Sequence, residues 1–162
     1  MVALSYAGLA RDLMLGFKYH NQRAVAAMFA ERLHATLRTS VEVECIDVVT
    51  WVPTTRERRM KRGHDQAETL ARILGRSLDV PVRKLLVRET VAHQTGHNRA
   101  QRLVGVALRA REISIPVNVL VVDDVVTTGA TMRMAKQALH QAGALRVICA
   151  AVAATPAPVR RR

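Results

Sequence analysis

The stretch at residues 119–131, VLVVDDVVTTGAT, restricts what this chain can fold into more than any other. Four consecutive apolar residues, Val119, Leu120, Val121 and Val122, predict a short strand buried on both faces, and such strands belong to parallel sheets. The run is read as ending at two carboxylates, Asp123 and Asp124. A small-residue turn follows, Thr127, Thr128, Gly129, Ala130 and Thr131, and a helical pattern covers residues 132–142. Backbone N–H groups in such a turn, backed by the positive end of a helix, suit a phosphate. The threonine hydroxyls can donate to it, and Gly129 lets the backbone come close. The carboxylates are acceptors only, which suits sugar hydroxyls or an oxygen-seeking cation such as magnesium. Phosphate on the turn and ribose beside it make a sugar-phosphate site. A nucleotide-hydrolysing reading would need a GxxxxGK(S/T) loop, which the sequence lacks. A receiver domain would need more sheet than the 38 residues after Asp124 supply. A solvated turn with acidic helix caps leaves the threonine cluster unexplained.

The second informative stretch is residues 52–67, VPTTRERRMKRGHDQA. It follows an apolar run at 45–52, CIDVVTWV, read as a central strand that stops at Pro53. Arg56, Arg58, Arg59, Lys61 and Arg62 crowd around one glutamate. A charge run alone usually means a solvated surface. Directly after a buried strand it lies instead on the rim where open parallel sheets bind ligands. A cationic loop facing a phosphate loop with two acids describes a site for a ligand carrying phosphates at both ends.

Elsewhere the periodicity predicts helices over 5–18, 23–37 and 64–77. The second turns Val25, Met28, Phe29, Leu33 and Leu37 to one face, and the third turns Ala67, Leu70, Ala71 and Leu74 inward. Strands are expected at 80–87, after a turn at Leu78 and Asp79, and at 145–152, reached through Gly143. Residues 88–98 are polar and aperiodic and read as a mobile loop, and 99–109 as a helix weakened by Gly105. His93 and His97 have the spacing of a zinc pair but no third ligand nearby. Cys45 and Cys149 sit in apolar stretches and read as small buried side chains. The alternation gives an α/β fold with a mainly parallel open sheet flanked by helices, the first two helices lying outside or above the core. One domain is expected over 1–155, with a basic disordered tail at 156–162.

Lysine and arginine number 25 against 13 acids, a formal net charge of +12 that favours polyanions. Aromatics are only 3% of the chain, few for a surface that grips single strands by base stacking. No apolar run reaches membrane-spanning length and nothing resembles a signal peptide, so no membrane insertion and a cytoplasmic setting are expected.

Residues 119–131 resemble the phosphoribosyl pyrophosphate (PRPP) loop of type I phosphoribosyltransferases, a hydrophobic strand followed by DDxxTTGxT. Three further stretches are similar to the ComF family, competence-associated proteins of that fold. These are Lys18-Tyr19, then Val52-Pro53 with Arg62-Gly63 and Gln66-Ala67, then Gln94-Thr95-Gly96 with Arg99-Ala100 and Arg102. The resemblance implies a type I phosphoribosyltransferase-like fold. It implies that Asp123 and Asp124 hold the ribose hydroxyls at the catalytic centre, with magnesium reached through the ligand. Val125, Val126, Thr127, Thr128, Gly129, Ala130 and Thr131 would wrap the 5′-phosphate. Pro53, Thr54, Arg58, Lys61, Arg62 and Gly63 would grip the pyrophosphate, and Gln94, Arg99 and Arg102 would ride on a flexible loop closing over the centre. The implied activity is transfer of a phosphoribosyl group from PRPP to a nitrogen acceptor. The rival is a non-catalytic competence factor of the same fold that binds single-stranded DNA during DNA uptake; either reading admits a homodimer. Two departures stand out. The family usually reads RGFNQ where this chain reads RGHDQ, so that Asp65 either weakens anion binding or holds magnesium. Many members begin with a cysteine-rich zinc ribbon, which this sequence does not include, and no substrate hood is evident.

Overall fold

The computed structural model describes residues 1–20, 23–40, 43–90 and 106–156. In chain order its elements are β1 (Val2–Ser5), α1 (Gly8–His20), α2 (Arg23–Ser40), a single 3-10 turn (Val43–Cys45), β2 (Val48–Trp51), α3 (Arg56–Arg62), α4 (Gln66–Leu78), β3 (Leu86–Thr90), β4 (Val106–Ala110), β5 (Asn118–Val126), α5 (Ala130–Gln141) and β6 (Arg146–Ala154). Four strands form one sheet in the order β1-β6-β5-β2, every neighbouring pair parallel. The expected α/β fold with a parallel sheet is therefore the one observed.

Alternation along β5 explains its unbroken apolar run. Leu120 and Val122 face a layer built by α2 and α4, where they meet Phe29, Leu33, Leu70 and Leu74. Val119 and Val121 face the opposite layer, where Leu139 and Ala135 of α5 and Leu86 of β3 cover them. A strand covered on both faces has no side on which a polar residue could reach water. Each fully buried Val, Leu or Phe contributes roughly 1.5–3 kcal/mol. β3 and β4 pair antiparallel as a separate two-stranded ribbon packed against α5.

Several expectations need correction. Ser5 does not open a helix; it ends β1, whose four residues pair with β6 and are too few to leave a periodic signature. Helix α2 is not outside the core, because Ala26, Phe29, Ala30, Leu33 and Leu37 are buried, although Met28 is 43% exposed. Cys45 belongs to the 3-10 turn, and β2 begins only at Val48. β2 lies at the end of the strand order rather than centrally, its outer edge covered by a single parallel bridge from Val49 to Val82. That bridge is all the sheet pairing within 80–85; the strand proper starts at Leu86 and carries Arg88, which the sequence reading had put in a loop. Residues 106–110 are strand rather than helix, since pairing with β3 overrides a pattern that fits either period. β5 does not stop at the acids but runs through them, with Asp123 opposite Ala151 and Val125 opposite Ala153. Thr155, at the end of the expected domain, is tied to the sheet, its N–H donating to the Val126 carbonyl at 2.9 Å. Both cysteines are half-buried and outside any disulfide, and burial pushes the Cys149 thiol above its ordinary pKa. His93, His97, the loop residues Gln94, Arg99 and Arg102, and tail residues 157–162 lie outside the described residues.

Candidate functional site

Parallel strands bring their carboxyl ends to one rim, and there the two informative stretches meet. They line a cleft of about 400 Å³, within the roughly 300–1,000 Å³ usual for small-molecule sites. One wall comes from β5 and the turn after it. Asp123 accepts the Asp124 N–H at 2.8 Å through Oδ1, and Asp124 accepts the Val125 N–H at 2.7 Å in the same way. These local bonds fix both carboxylates at the cleft, which they line with Val125, Thr127 and Thr131.

The turn is shaped by Gly129, whose φ of 73° a side chain would strain. α5 starts there with no side-chain cap at Gly129 and no acid in its first turn. Thr128 Oγ1 accepts the Ala130 N–H at 3.4 Å, and Arg133 donates to the Thr128 carbonyl at 3.1 Å. From the other side Thr155 donates its hydroxyl to the Thr127 carbonyl at 3.3 Å. A second small hollow inside the turn is lined by Val126, Thr128, Gly129, Ala130 and their neighbours. A turn with inward N–H groups at a helix start has the electrostatics of an anion cradle.

The facing wall begins where β2 ends, at Val52, Pro53 and Thr54. The expected cationic loop is a short helix, α3, because Thr55 caps it by accepting the Arg58 N–H at 3.3 Å and Gly63, at φ 75°, ends it. The helix sorts its cations. Arg58 and Arg62 line the cleft, whereas Lys61 is exposed and neither it nor Gly63 reaches the lining. Arg62 also donates to Gln66 Oε1 at 3.3 Å.

Asp65 lines the cleft and has a structural role that the sequence did not suggest. It is buried, 6% exposed, and caps α4. Its Oδ1 accepts the Ala67 and Glu68 N–H groups at 3.2 and 3.4 Å, and its Oδ2 accepts the Thr54 N–H at 2.9 Å. The carboxylate thus ties the cleft's first loop to the helix behind it. Burial outweighs these donors and raises its pKa above the ordinary aspartate value.

Three cleft residues were missed from sequence: Tyr6, Arg88 and Thr155. Arg88 matters most. It projects from β3, donates Nε to the Pro53 carbonyl at 3.0 Å, and adds a third guanidinium to the wall. Burial first, then the neighbouring Arg58, lower its pKa, while Asp123 and Asp65 act the other way. It stays a cation. The alternation of Val87 and Arg88 was its one sequence signal, hidden by the polar residues that follow.

Among the described residues no group of three or more His, Cys, Asp or Glu could enclose a metal, and no helix is long and apolar enough to cross a membrane. Comparison with known proteins agrees with the geometry. Residues 60–162 match the phosphoribosyl transferase domain family. The chain is 28% identical over 144 residues to competence protein ComFC of Streptococcus pneumoniae, covering 86% of this chain and 61% of the relative. It is 30% identical over 151 residues to DNA utilization protein YhgH of Escherichia coli, covering 88% and 66%. The chain therefore spans less than two thirds of the length of these curated relatives. Glutamine PRPP amidotransferase from Bacillus subtilis shares the fold with a TM-score of 0.56 at 22% identity, over 85% of this chain and 30% of that one. With its parallel sheet and its rim cleft, this chain belongs to the phosphoribosyl transferase domain family, and it is similar to competence protein ComFC and DNA utilization protein YhgH.

Proposed function

We propose that the rim cleft binds PRPP with magnesium and supports transfer of the phosphoribosyl group to a nitrogen acceptor with release of pyrophosphate. The observation that carries this reading is the division of one cleft into two walls. Asp123, Asp124 and the threonine turn stand on one side, and Arg58, Arg62 and Arg88 on the other. A sugar with phosphate at one end and pyrophosphate at the other complements both.

In this reading Asp123 and Asp124 accept the ribose hydroxyls, and the turn at 125–131 takes the 5′-phosphate on its N–H groups and hydroxyls. Arg58, Arg62 and Arg88 receive the leaving pyrophosphate. Pro53 and Thr54 shape that subsite, which Asp65 holds in place from behind. Lys61 and Gly63 act outside it, Gly63 by ending α3. Two adjacent carboxylates suit magnesium, which takes one or two carboxylates plus phosphate oxygens of its substrate. When bound, magnesium supplies neutralisation of pyrophosphate charge. Displacement through an oxocarbenium-like state needs little covalent help; fixed charges beside the leaving group are what lower its barrier.

The relatives' names, competence protein and DNA utilization protein, speak for a nucleic-acid role as well. Carboxylates at the centre of the cleft repel a DNA backbone, so the cleft itself is assigned to PRPP.

Thermal unfolding with PRPP and magnesium tests the ligand. At a hundred times its dissociation constant, PRPP should stabilise the fold by about 2.7 kcal/mol. For a chain of this size that is a rise of about 5–11 °C. Ribose alone should give none. An unmoved melting curve at saturating PRPP removes the ligand assignment, and a shift without pyrophosphate release across a panel of nucleobases removes turnover.

A further inference from the structure

The chain turns sharply at Gly63, φ 75°, where α3 ends, and the turn brings His64 back against Arg62. His64 Nδ1 lies 2.9 Å from the Arg62 carbonyl. A carbonyl only accepts, so Nδ1 carries the ring proton and donates it. In the neutral imidazole that leaves Nε2 as an acceptor, and the Gln66 amide nitrogen stands 3.3 Å from it. With its nitrogen turned to the imidazole, the Gln66 amide presents Oε1 to Arg62, whose Nη1 donates to it at 3.3 Å. The reversed amide would set two donors against each other at Arg62. These bonds close a circuit that runs from the Arg62 carbonyl through His64 and Gln66 to the Arg62 guanidinium.

The circuit ties the guanidinium of Arg62 to its own backbone. Arg62 and Gln66 line the cleft, whereas His64 is half-buried and lies outside the lining. His64 therefore acts on a ligand through the two residues it holds. A long arginine side chain loses rotamer freedom when it grips an anion, and one held in place beforehand loses less. Arg58 lines the same wall but is no part of the circuit. The usual RGFNQ motif has phenylalanine where this chain has His64, and phenylalanine can make neither bond. The circuit is thus a feature of this chain rather than of the motif.

We propose that His64 is a positioning residue for the pyrophosphate end of PRPP: it orients the Gln66 amide and through it holds Arg62 at the cleft before the ligand arrives. The inference rests on the transferase reading of the rim cleft and adds a residue that the reading does not use. Ordering one long side chain in advance should tighten PRPP about threefold to tenfold. Ribose 5-phosphate, which carries no pyrophosphate, should gain nothing from it.

The test is a double-mutant cycle read by calorimetric titration of PRPP with magnesium, with circular dichroism melting as the folding control. His64→Phe keeps a ring of similar size and removes both bonds. It should weaken PRPP about threefold to tenfold and leave ribose 5-phosphate unchanged. His64→Gln returns an acceptor to Gln66 and should recover most of the loss. In an Arg62→Gln background His64→Phe should have no further effect, whereas in an Arg58→Gln background its effect should persist. Nitrogen-15 NMR of the unaltered protein should show the neutral His64 ring protonated on Nδ1 and bare at Nε2, a reading that stands even where a variant does not fold. Unchanged PRPP affinity in folded His64→Phe overturns the inference alone, as do an undiminished effect in Arg62→Gln, no recovery with glutamine, or the opposite tautomer. Equal weakening of PRPP and ribose 5-phosphate would assign His64 to general support of the cleft and overturn it too. If wild type binds no PRPP, the transferase reading fails, and this inference with it.

Discussion

Replacing Asp65 by alanine isolates the contact that joins the cleft to the core. Three backbone N–H groups lose their acceptor: Ala67 and Glu68 at the start of α4, and Thr54 across the loop. Loss of a helix N-cap costs about 1 kcal/mol. The stranded Thr54 N–H adds about 1–2 kcal/mol, the lower part of the usual range, because Thr54 is half-buried and water recovers some of the loss. Urea unfolding should therefore report a loss of about 2–3 kcal/mol, or about 4–12 °C in melting temperature. Asp65→Asn is the sharper probe. An amide has one acceptor oxygen and so cannot serve both Thr54 and the α4 terminus; about half of the loss should remain. The titration gives a further check. With the folded pKa raised, the folded state holds the proton to higher pH than the unfolded chain does. The stability difference between wild type and Asp65→Ala should therefore be largest below the ordinary aspartate pKa. It should shrink as pH rises through the interval between that value and the raised one, then level off. Were the alanine variant within about 0.5 kcal/mol of wild type, the range expected of an ordinary surface change, the bridging role would be wrong.

Other outcomes follow from the two walls of the cleft. Asp123→Asn with Asp124→Asn should abolish the thermal shift with PRPP and magnesium yet leave oligo-dT binding unchanged or tighter, since it removes two like charges from a polyanion's path; loss of both would place DNA in the cleft. Arg88→Met should weaken PRPP about tenfold or more, the worth of a charge-assisted hydrogen bond, with ribose 5-phosphate unaffected in the same titration. Thr128→Val should cost PRPP affinity by a similar factor, and calorimetry showing no change in a folded variant would remove that hydroxyl from the phosphate site. Gly129→Ala should lose about 1 kcal/mol or more in urea unfolding, because alanine is strained at φ 73° and its Cβ would stand 3.1 Å from the Arg133 guanidinium.

What the sequence disclosed and what it hid divide along the range of the interactions involved. The β5–turn–α5 unit was legible because each part is set locally. β-branched residues make the strand, Gly129 permits the turn and the apolar period makes the helix. Arg58 and Arg62 were legible for the same reason, being fixed by a cap, a short helix and a glycine within nine residues of one another. Arg88 was not, because β3 becomes a strand only by pairing with β4, and its donor bond ends on Pro53, 35 residues earlier. Tyr6 and Thr155 reach the cleft because β1 joins β6 at the sheet edge, a pairing between opposite ends of the chain that four residues cannot announce. Asp65 shows the limit most clearly. An acid beside arginines invites an electrostatic reading from sequence, whether repulsion of an anion or capture of a cation. In the fold both of its oxygens are engaged by backbone N–H groups, and through them it holds Thr54, in the cleft's first loop, against the start of α4. The charge pattern could locate the cleft, but only the long-range bonds decide which charges face into it.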